Sequence, residues 1–207
     1  MIRYNLPTIM KFFSALLMLF FTLTLSAQDA MQAQNFFISI PNYPTDYSAA
    51  NIIQRLIDGV GYRYYWATKD LRAIDLNFRP EQGARSSYET VKHIYDLSQL
   101  IVNAAAQTES HRPTGDLPTD FELIRKQTLE NLYQSRMLFS NLTAEQLEQR
   151  QFVFQRGDNK THFPLWHLFN GPAADALYHI GQLVSYRRSS GNPIDPKVNV
   201  FMGKNNN

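Results

Sequence analysis

The amino-acid sequence predicts an all-α protein, a four-helix bundle that follows an N-terminal signal peptide. Three observations support this fold class. Four long segments carry apolar residues at helical intervals, proline- and glycine-rich stretches separate these segments, and little of the chain has strand character. With 207 residues, of which 44% are hydrophobic and 18% charged, the chain can fill one compact core and is not typical of a disordered protein.

The first 27 residues have the pattern of a secretory signal peptide. Lys11 precedes an apolar run over 12–25, and the small residues Ser26 and Ala27 follow it. The run is shorter than the ~20 residues of a membrane-spanning helix, so we predict cleavage after Ala27 and no stable membrane span afterwards; a retained anchor is the alternative. The predicted localisation is therefore the periplasm or the medium.

The composition limits the partners of the mature chain. The sequence has 20 basic and 18 acidic residues, but Arg3 and Lys11 lie in the predicted signal peptide, so the mature chain is balanced in charge. Without a basic block, a nucleic-acid partner is not predicted. The absence of cysteine excludes disulfides, thiolate ligands and a lipid anchor at the cleavage site.

We divide the mature chain into three parts. Residues 28–47 form a lead-in in which prolines prevent a continuous helix, residues 48–195 form the bundle, and residues 196–207 form a C-terminal tail. A homodimer is left open.

The first two helices of the bundle have recognisable limits. Helix one is predicted over 48–74 from its apolar periodicity, although two glycines weaken the pattern. Helix two begins at Ser86, whose hydroxyl can cap the helix while Glu89 reaches back, and it continues to about Ala106.

The last two helices flank the least regular part of the chain. Helix three is predicted from near Thr119, with one apolar stripe and a charged outer face. At most a small strand pair is expected over 151–163. Pro164 is predicted as the first residue of helix four, which should extend to Arg188 with a bend or break at Gly171-Pro172.

Two histidines and an aspartate in these helices are candidate metal ligands. Asp175 and His179 lie four residues apart and therefore project from the same face of helix four. His93 lies on the apolar face of helix two. Two nitrogens and one carboxylate can hold a first-row divalent ion. In the alternative interpretation, Asp175 and His179 form a solvent-exposed pair on the helix surface, and His93 is a core histidine that is hydrogen-bonded to another residue.

The same residues carry a resemblance to a known family. The run over 175–182, with the arginine pair 187–188 and Gly191 after it, resembles the last-helix signature of the DinB/YfiT-like metalloenzyme superfamily, usually written His-x-x-x-His-x-Gly-Gln. His93 matches the histidine that this superfamily has on its second helix. The resemblance covers roughly residues 48–193, and the Gly-Gln element with the preceding histidine is its most specific part.

The resemblance implies a four-helix bundle with His93, Asp175 and His179 as ligands, Asp175 replacing a histidine of the family. The implied cofactor is a divalent ion: zinc, nickel, iron or manganese. Gln182 is either a residue that orients a ligand or a packing residue, and Gly181 is expected to allow a close helix contact. Relatives in the superfamily include thiol-dependent transferases.

The other candidate residues have ordinary structural interpretations. The remaining histidines are predicted to be structural or on the surface: His111, His162 and His167. Arg187 and Arg188 are expected to oppose the helix dipole. The aromatic cluster of helix one is expected in the core, with a pocket wall as the alternative: Tyr62, Tyr64, Tyr65 and Trp66.

The sequence thus leaves two functions. The first is an exported metal-dependent enzyme, a transferase or hydrolase that acts on a small molecule. The alternative is a non-catalytic helical protein of the cell envelope that binds a ligand or a partner.

Overall fold

Four long helices pack against one another around a shared apolar core. The computed structural model describes residues 32–33, 35–112 and 114–207. In this part of the chain the long helices are α1 (Ala49–Thr68), α3 (Ser87–Ala106), α4 (Phe121–Phe139) and α7 (Pro172–Ser189). The short helices are α2 (Ala73–Asn77), α5 (Ala144–Glu148) and α6 (His167–Asn170). The predicted signal peptide, residues 1–27, lies outside the described residues.

The packing order of the long helices determines which faces meet. Both α1 and α3 make their main contacts with α4 and α7. Fully buried aliphatic side chains fill the space between them: Ile57, Ile94, Ile101, Ile124, Leu129, Leu132 and Leu183. Each such side chain contributes about 1.5–3 kcal/mol through its removal from water. The fold is therefore mostly helical, as the sequence predicts.

Two small sheets make the all-α prediction too narrow. Strands β2 (Gln151–Arg156) and β3 (Asn159–Pro164) form the expected antiparallel pair, and β1 (Glu109–His111) adds a parallel strand beside β2. Strands β4 (Val198–Asn199) and β5 (Lys204–Asn205) form a second antiparallel pair. Neither β1 nor the second sheet was predicted.

The observed helix boundary matches the prediction where a local capping motif determines it. The Ser86 amide donates to Glu89 Oε2 at 2.7 Å, and the Glu89 amide donates to Ser86 Oγ at 3.2 Å, so the predicted capping box is confirmed. Helix α1 ends at Thr68, earlier than predicted, because Lys69 is extended and Asp70 has a φ of +58°. The chain then turns into α2.

The predicted start of the fourth helix is wrong. Pro164 is the last residue of β3, where it pairs with Gln151. The helix starts instead at Pro172, which follows Gly171 with its non-helical φ of −107° and ψ of −115°. Proline suits the first helical position because its missing amide would have no partner there. The predicted interruption at Gly171-Pro172 is confirmed.

The residues before α1 and after α7 lie against the helices. Phe37 is fully buried, and a Cβ on Gly61 would lie 2.2 Å from its ring, so the glycine is what lets this ring approach α1. The Ile40 amide donates to the Gly203 carbonyl at 2.8 Å, which joins the two terminal segments. None of the helices in the described part of the chain is both long and apolar enough to span a membrane.

A buried arginine joins the end of α7 to the end of α1. Arg187 is only 5% exposed, and it donates to the carbonyl oxygens of Trp66, Ala67 and Lys69. These carbonyls belong to the C-terminus of α1, where helical partners are lacking. Arg187 lies in the last turn of α7, as the helix-dipole interpretation expects, and its side chain in addition caps a neighbouring helix.

A buried carboxylate lies beside this junction. Asp75 accepts hydrogen bonds from the Arg72 guanidinium and amide, from Ser190 Oγ and from Asn192 Nδ2. Its side chain is 1% exposed. These bonds, first of all those from the Arg72 side chain, hold the pKa of the Asp75 carboxyl far below its usual range, although burial opposes them.

We expect Asp75→Asn to destabilise the protein in a pH-dependent way. At pH 7 the free energy of unfolding should fall by about 2 kcal/mol or more, since the substitution removes charged hydrogen bonds in a buried position. A depressed pKa contributes stability above the unfolded pKa and loses it as pH falls, so the gap from the parent should narrow below about pH 4. Urea denaturation at pH 7 and pH 3 measures both effects.

Asp70→Asn is the matched control, because the Asp70 side chain is 80% exposed and pairs only with Lys69 at 3.7 Å. We expect a change within about 0.5 kcal/mol. An equal loss for Asp75→Asn at both pH values would contradict this account of the cluster.

Candidate metal centre

His93, Asp175 and His179 meet where α3 packs against α7. His93 Nε2 lies 3.2 Å from Asp175 Oδ2, and His179 Nε2 lies 3.3 Å from Asp175 Oδ1. The two imidazole rings are nearly perpendicular, with centroids 4.7 Å apart. One ligand atom from each residue lies within 4.8 Å of the others. The structure thus brings together all three residues that the sequence singles out.

The start of α7 places the carboxylate. Because the helix begins at Pro172, Asp175 lies in its first turn, where its amide donates to the Gly171 carbonyl at 2.9 Å. His179 follows one turn later on the same face.

Burial differs among the three side chains. The His179 side chain is 10% exposed, that of His93 is 28% exposed, and that of Asp175 is 43% exposed. Burial lowers the pKa of His93 and outweighs the opposing effect of its hydrogen bond to Asp175. The neutral imidazole, which is the form that binds metal ions, is favoured. The site is open to solvent on the side of Asp175.

Gln182 determines which nitrogen of His179 carries a proton. His179 Nδ1 lies 2.7 Å from Gln182 Oε1, and a carbonyl oxygen can only accept, so Nδ1 is the donor. In the neutral ring, the lone pair on Nε2 then faces Asp175 Oδ1, which is also an acceptor. Two acceptor atoms therefore face each other at a distance that a bound metal ion can bridge.

The donor set and its spacing fit a divalent ion. Two ligands at about 2.0–2.2 Å from one ion lie roughly 3.0–3.5 Å apart in octahedral or tetrahedral geometry. The two nitrogen–oxygen distances fall in this range. The pattern of a histidine held by a side-chain carbonyl on its other nitrogen is also common around bound metals. Metal binding itself stays a prediction.

The other histidines lie outside this cluster. All three are exposed, as expected for His111 and His162. His162 Nδ1 lies 3.0 Å from Gln151 Oε1, and the His167 ring packs edge-on against Phe163. None of them belongs to the metal cluster found among the described residues.

Two further residues of α7 differ from the sequence analysis. Gly181 makes no close helix contact, since a Cβ there would meet nothing within 4 Å, so that expectation is wrong. Tyr178 was not singled out, yet its ring packs edge-on against His179 with centroids 5.2 Å apart. Its place next to His179 in the chain is the only sequence signal for this contact.

Comparisons with known proteins give one informative result. No family model matches the chain, and no curated protein matches it. Among solved structures, it is similar to a DinB-like protein, YjoA, from Bacillus subtilis, with 19% sequence identity and a TM-score of 0.46. The match covers 84% of this chain and 99% of the other.

We expect substitutions of Gln182 to change metal affinity according to their hydrogen-bonding capacity. Gln182→Leu removes the acceptor that holds Nδ1–H of His179, and the dissociation constant for zinc should rise by about 10- to 100-fold. Gln182→Glu keeps an acceptor and should bind zinc at least as tightly as the parent. Competition against a chromogenic chelator at constant pH measures both constants.

If Gln182 had only a packing role, the zinc affinity would not depend on hydrogen bonding by this residue. Leucine matches the glutamine in size, so Gln182→Leu would then keep the parent affinity. The same result would show that Gln182 does not control the proton on His179.

Proposed function

We propose that the protein is an exported metal-dependent enzyme, a transferase or hydrolase that acts on a small molecule. One observation carries this proposal: two imidazoles from different helices converge on a single carboxylate, at 3.2 and 3.3 Å, in a site that is open to solvent. Side chains of facing helices are the usual source of metal sites in helical bundles. The proposed fold is accordingly a four-helix bundle of the DinB/YfiT-like type.

The chain's own residues have distinct roles in this proposal. His93 and His179 would hold the ion through Nε2, Asp175 would hold it through its carboxylate, and Gln182 would keep His179 in the required tautomer. A divalent cation held by these residues would act as a Lewis acid, which can promote deprotonation of a nucleophile or polarise the carbonyl that is attacked. Three protein ligands leave coordination positions for water and substrate.

The ligand atoms narrow the choice of metal ion but do not identify a single metal. Imidazole nitrogen and carboxylate oxygen suit zinc, nickel, iron and manganese. Replacing a histidine of the family pattern by Asp175 adds a hard, anionic ligand and lowers the net positive charge of the site. The proposed substrate is a small molecule that reaches the ion from the exposed side of Asp175.

A non-catalytic binding protein of the cell envelope is the second candidate. The groove between α1 and α7 favours it, because this groove could bind a ligand without any chemistry at the metal centre. Metal content and activity of the same preparation separate the two candidates.

We expect His93→Ala to remove the metal and leave the helices intact. The parent should hold about one equivalent of a divalent ion, and the variant should bind zinc at least 100-fold more weakly, because Asp175 and His179 alone do not fix the coordination geometry. Elemental analysis, zinc titration and far-ultraviolet circular dichroism of both proteins check this. Loss of metal with an unchanged helical spectrum is the expected result.

His111→Ala is the matched control, since this histidine is exposed in β1 and lies outside the cluster. It should keep the parent's metal content. A parent that does not bind any of the four metals, with a melting temperature lowered only by His93→Ala, would instead identify His93 as a structural histidine.

Enzymatic activity needs its own test. The metal-loaded protein should hydrolyse or transfer a group from at least one member of a panel of small esters, amides and thiol acceptors. The activity should disappear with a chelator and return with the ion. A metal-loaded protein that is inactive on the whole panel, with and without added thiols, would favour the binding candidate.

Export is proposed from the signal-peptide pattern of residues 1–27. We expect the protein recovered from the periplasm or the medium to begin at Gln28, because the apolar run is recognised and removed during export. N-terminal sequencing of the fractionated protein measures this. A sequence that begins at Met1 in the membrane fraction would show a retained anchor.

A further inference from the structure

We propose that a groove between α1 and α7 binds an amphipathic anion, a molecule with an apolar chain and a carboxylate or phosphate head. The groove has a volume of about 700 Å³ and lies between the two helices and the segment that follows α7. This volume is within the roughly 300–1,000 Å³ of typical small-molecule sites.

The groove and the metal centre lie on opposite faces of α7. The groove side carries Leu177, Gly181, Val184 and Arg188, which recur every three or four residues. Each successive residue turns by about 100° around a helix, so Gly181 points away from the face of His179. A ligand in the groove therefore does not contact the metal ligands, and the two sites can be tested independently.

Apolar side chains line the two helical walls of the groove. They are Leu56, Trp66, Leu177, Ile180 and Val184, and Val198 and Val200 lie on the side of the C-terminal segment. Trp66 is fixed in place, because its Nε1 donates to the Ile38 carbonyl at 3.1 Å. Gly181 has no neighbour within 4 Å of where a Cβ would lie, which leaves room for an apolar chain.

Three arginines give the groove its positive charge: Arg55, Arg63 and Arg188. Among the described residues, those that line the groove include no aspartate or glutamate, although the Asp58 carboxylate lies near enough to interact with Arg55. In the described part of the chain none of the three arginines forms an ion pair, whereas Arg72, Arg112 and Arg136 each lie within 3.0 Å of an aspartate.

Two of these arginines are held in place by carbonyl oxygens. Arg63 donates to the carbonyls of Gly59 and Val200, each at 3.1 Å, and Arg55 donates to the Pro41 carbonyl at 2.9 Å. Carbonyl groups fix the guanidinium groups without neutralising them. Burial also lowers the pKa of Arg63.

Charge and size together favour a small anion over a second copy of this chain. In a symmetric dimer through this face, the arginines of one copy would approach the same arginines of the other, and like charges repel. An apolar chain fits the apolar walls, and an anionic head fits the guanidinium groups.

Calorimetric titration of the purified protein, freed of metal with a chelator, tests this proposal with three probes that share a ten-carbon chain, each below its micelle concentration. Decanoate and decyl phosphate should bind at one site, and the better of the two identifies the head group. Decyltrimethylammonium has the same chain with a cationic head and should bind at least 10-fold more weakly.

Two variants locate the site. Gly181→Leu places an apolar side chain in the groove, at a position where an added Cβ would meet nothing within 4 Å, and it should weaken binding of the anions at least 10-fold, with an unchanged helical spectrum and unchanged zinc affinity. Arg63→Gln should weaken them by a similar factor while leaving the affinity for decyltrimethylammonium unaltered. Arg156→Gln is the control, because this arginine is exposed in β2 and does not line the groove; it should bind like the parent.

Three outcomes would overturn the proposal. The first is equal binding of the anionic and cationic probes, which would show that only apolar contact matters. The second is unchanged anion binding by Gly181→Leu, which would place the ligand elsewhere. The third is a dimer in light scattering that Gly181→Leu dissociates, with no anion bound by the parent, which would assign the groove to a second copy.

Discussion

The position of α7 between α1 and α3 determines both candidate sites. Ala173 and Ala176 are almost fully buried on α7, and small side chains allow helices to approach closely. The face towards α3 carries Asp175 and His179, and the opposite face lines the groove beside α1. A rotation of α7 by one residue, about 100°, would separate Asp175 from His93 and would also move the apolar wall out of the groove.

Features at both ends of α7 fix the orientation of the helix about its own axis. At its start, Gly171 and Pro172 break the preceding chain, and the break determines which residue of the helix faces α3. At its end, Arg187 donates to two carbonyls in the last turn of α1 and to the carbonyl of Lys69, which follows that helix. A buried guanidinium has a large desolvation cost, which lowers its pKa, and the carbonyl oxygens that surround it offset part of that cost. Translation or rotation of α7 would leave those donors unsatisfied.

The sequence predicts the parts of this arrangement that depend on local chemistry. The capping box at Ser86 and Glu89, the break at Gly171-Pro172 and the shared face of Asp175 and His179 all follow from residues within one or two turns of each other. To predict that His93 contacts this pair, one assumption about tertiary structure is needed: the apolar face of helix two packs against helix four. The apolar periodicity of both helices supports this assumption.

Features that depend on distant residues were missed for a physical reason. Pro164 is compatible with a helix start, but pairing with Gln151 places it in a strand. Strand β1 forms because β2, some forty residues later, offers a free edge. Arg187 looks like any basic residue at a helix end, and only the packing of α1 reveals its carbonyl partners. The groove also depends on the packing of distant segments. Trp66 is buried and lines this groove, so it is both a core residue and part of a pocket wall. The pocket wall is the alternative that the sequence analysis left open.

In the proposed metal site, a carboxylate from Asp175 stands where the pattern that the sequence resembles has a histidine, and this affects the proposed chemistry. With two neutral imidazoles and one carboxylate, the net charge of a loaded site is one unit lower than with three imidazoles. A lower charge stabilises a soft, anionic thiolate less and leaves a harder site that suits oxygen ligands. The proposed export also disfavours thiol chemistry, since low-molecular-weight thiols of the cytoplasm are scarce outside the cell. Both effects favour hydrolysis over thiol transfer among the reactions proposed for this site.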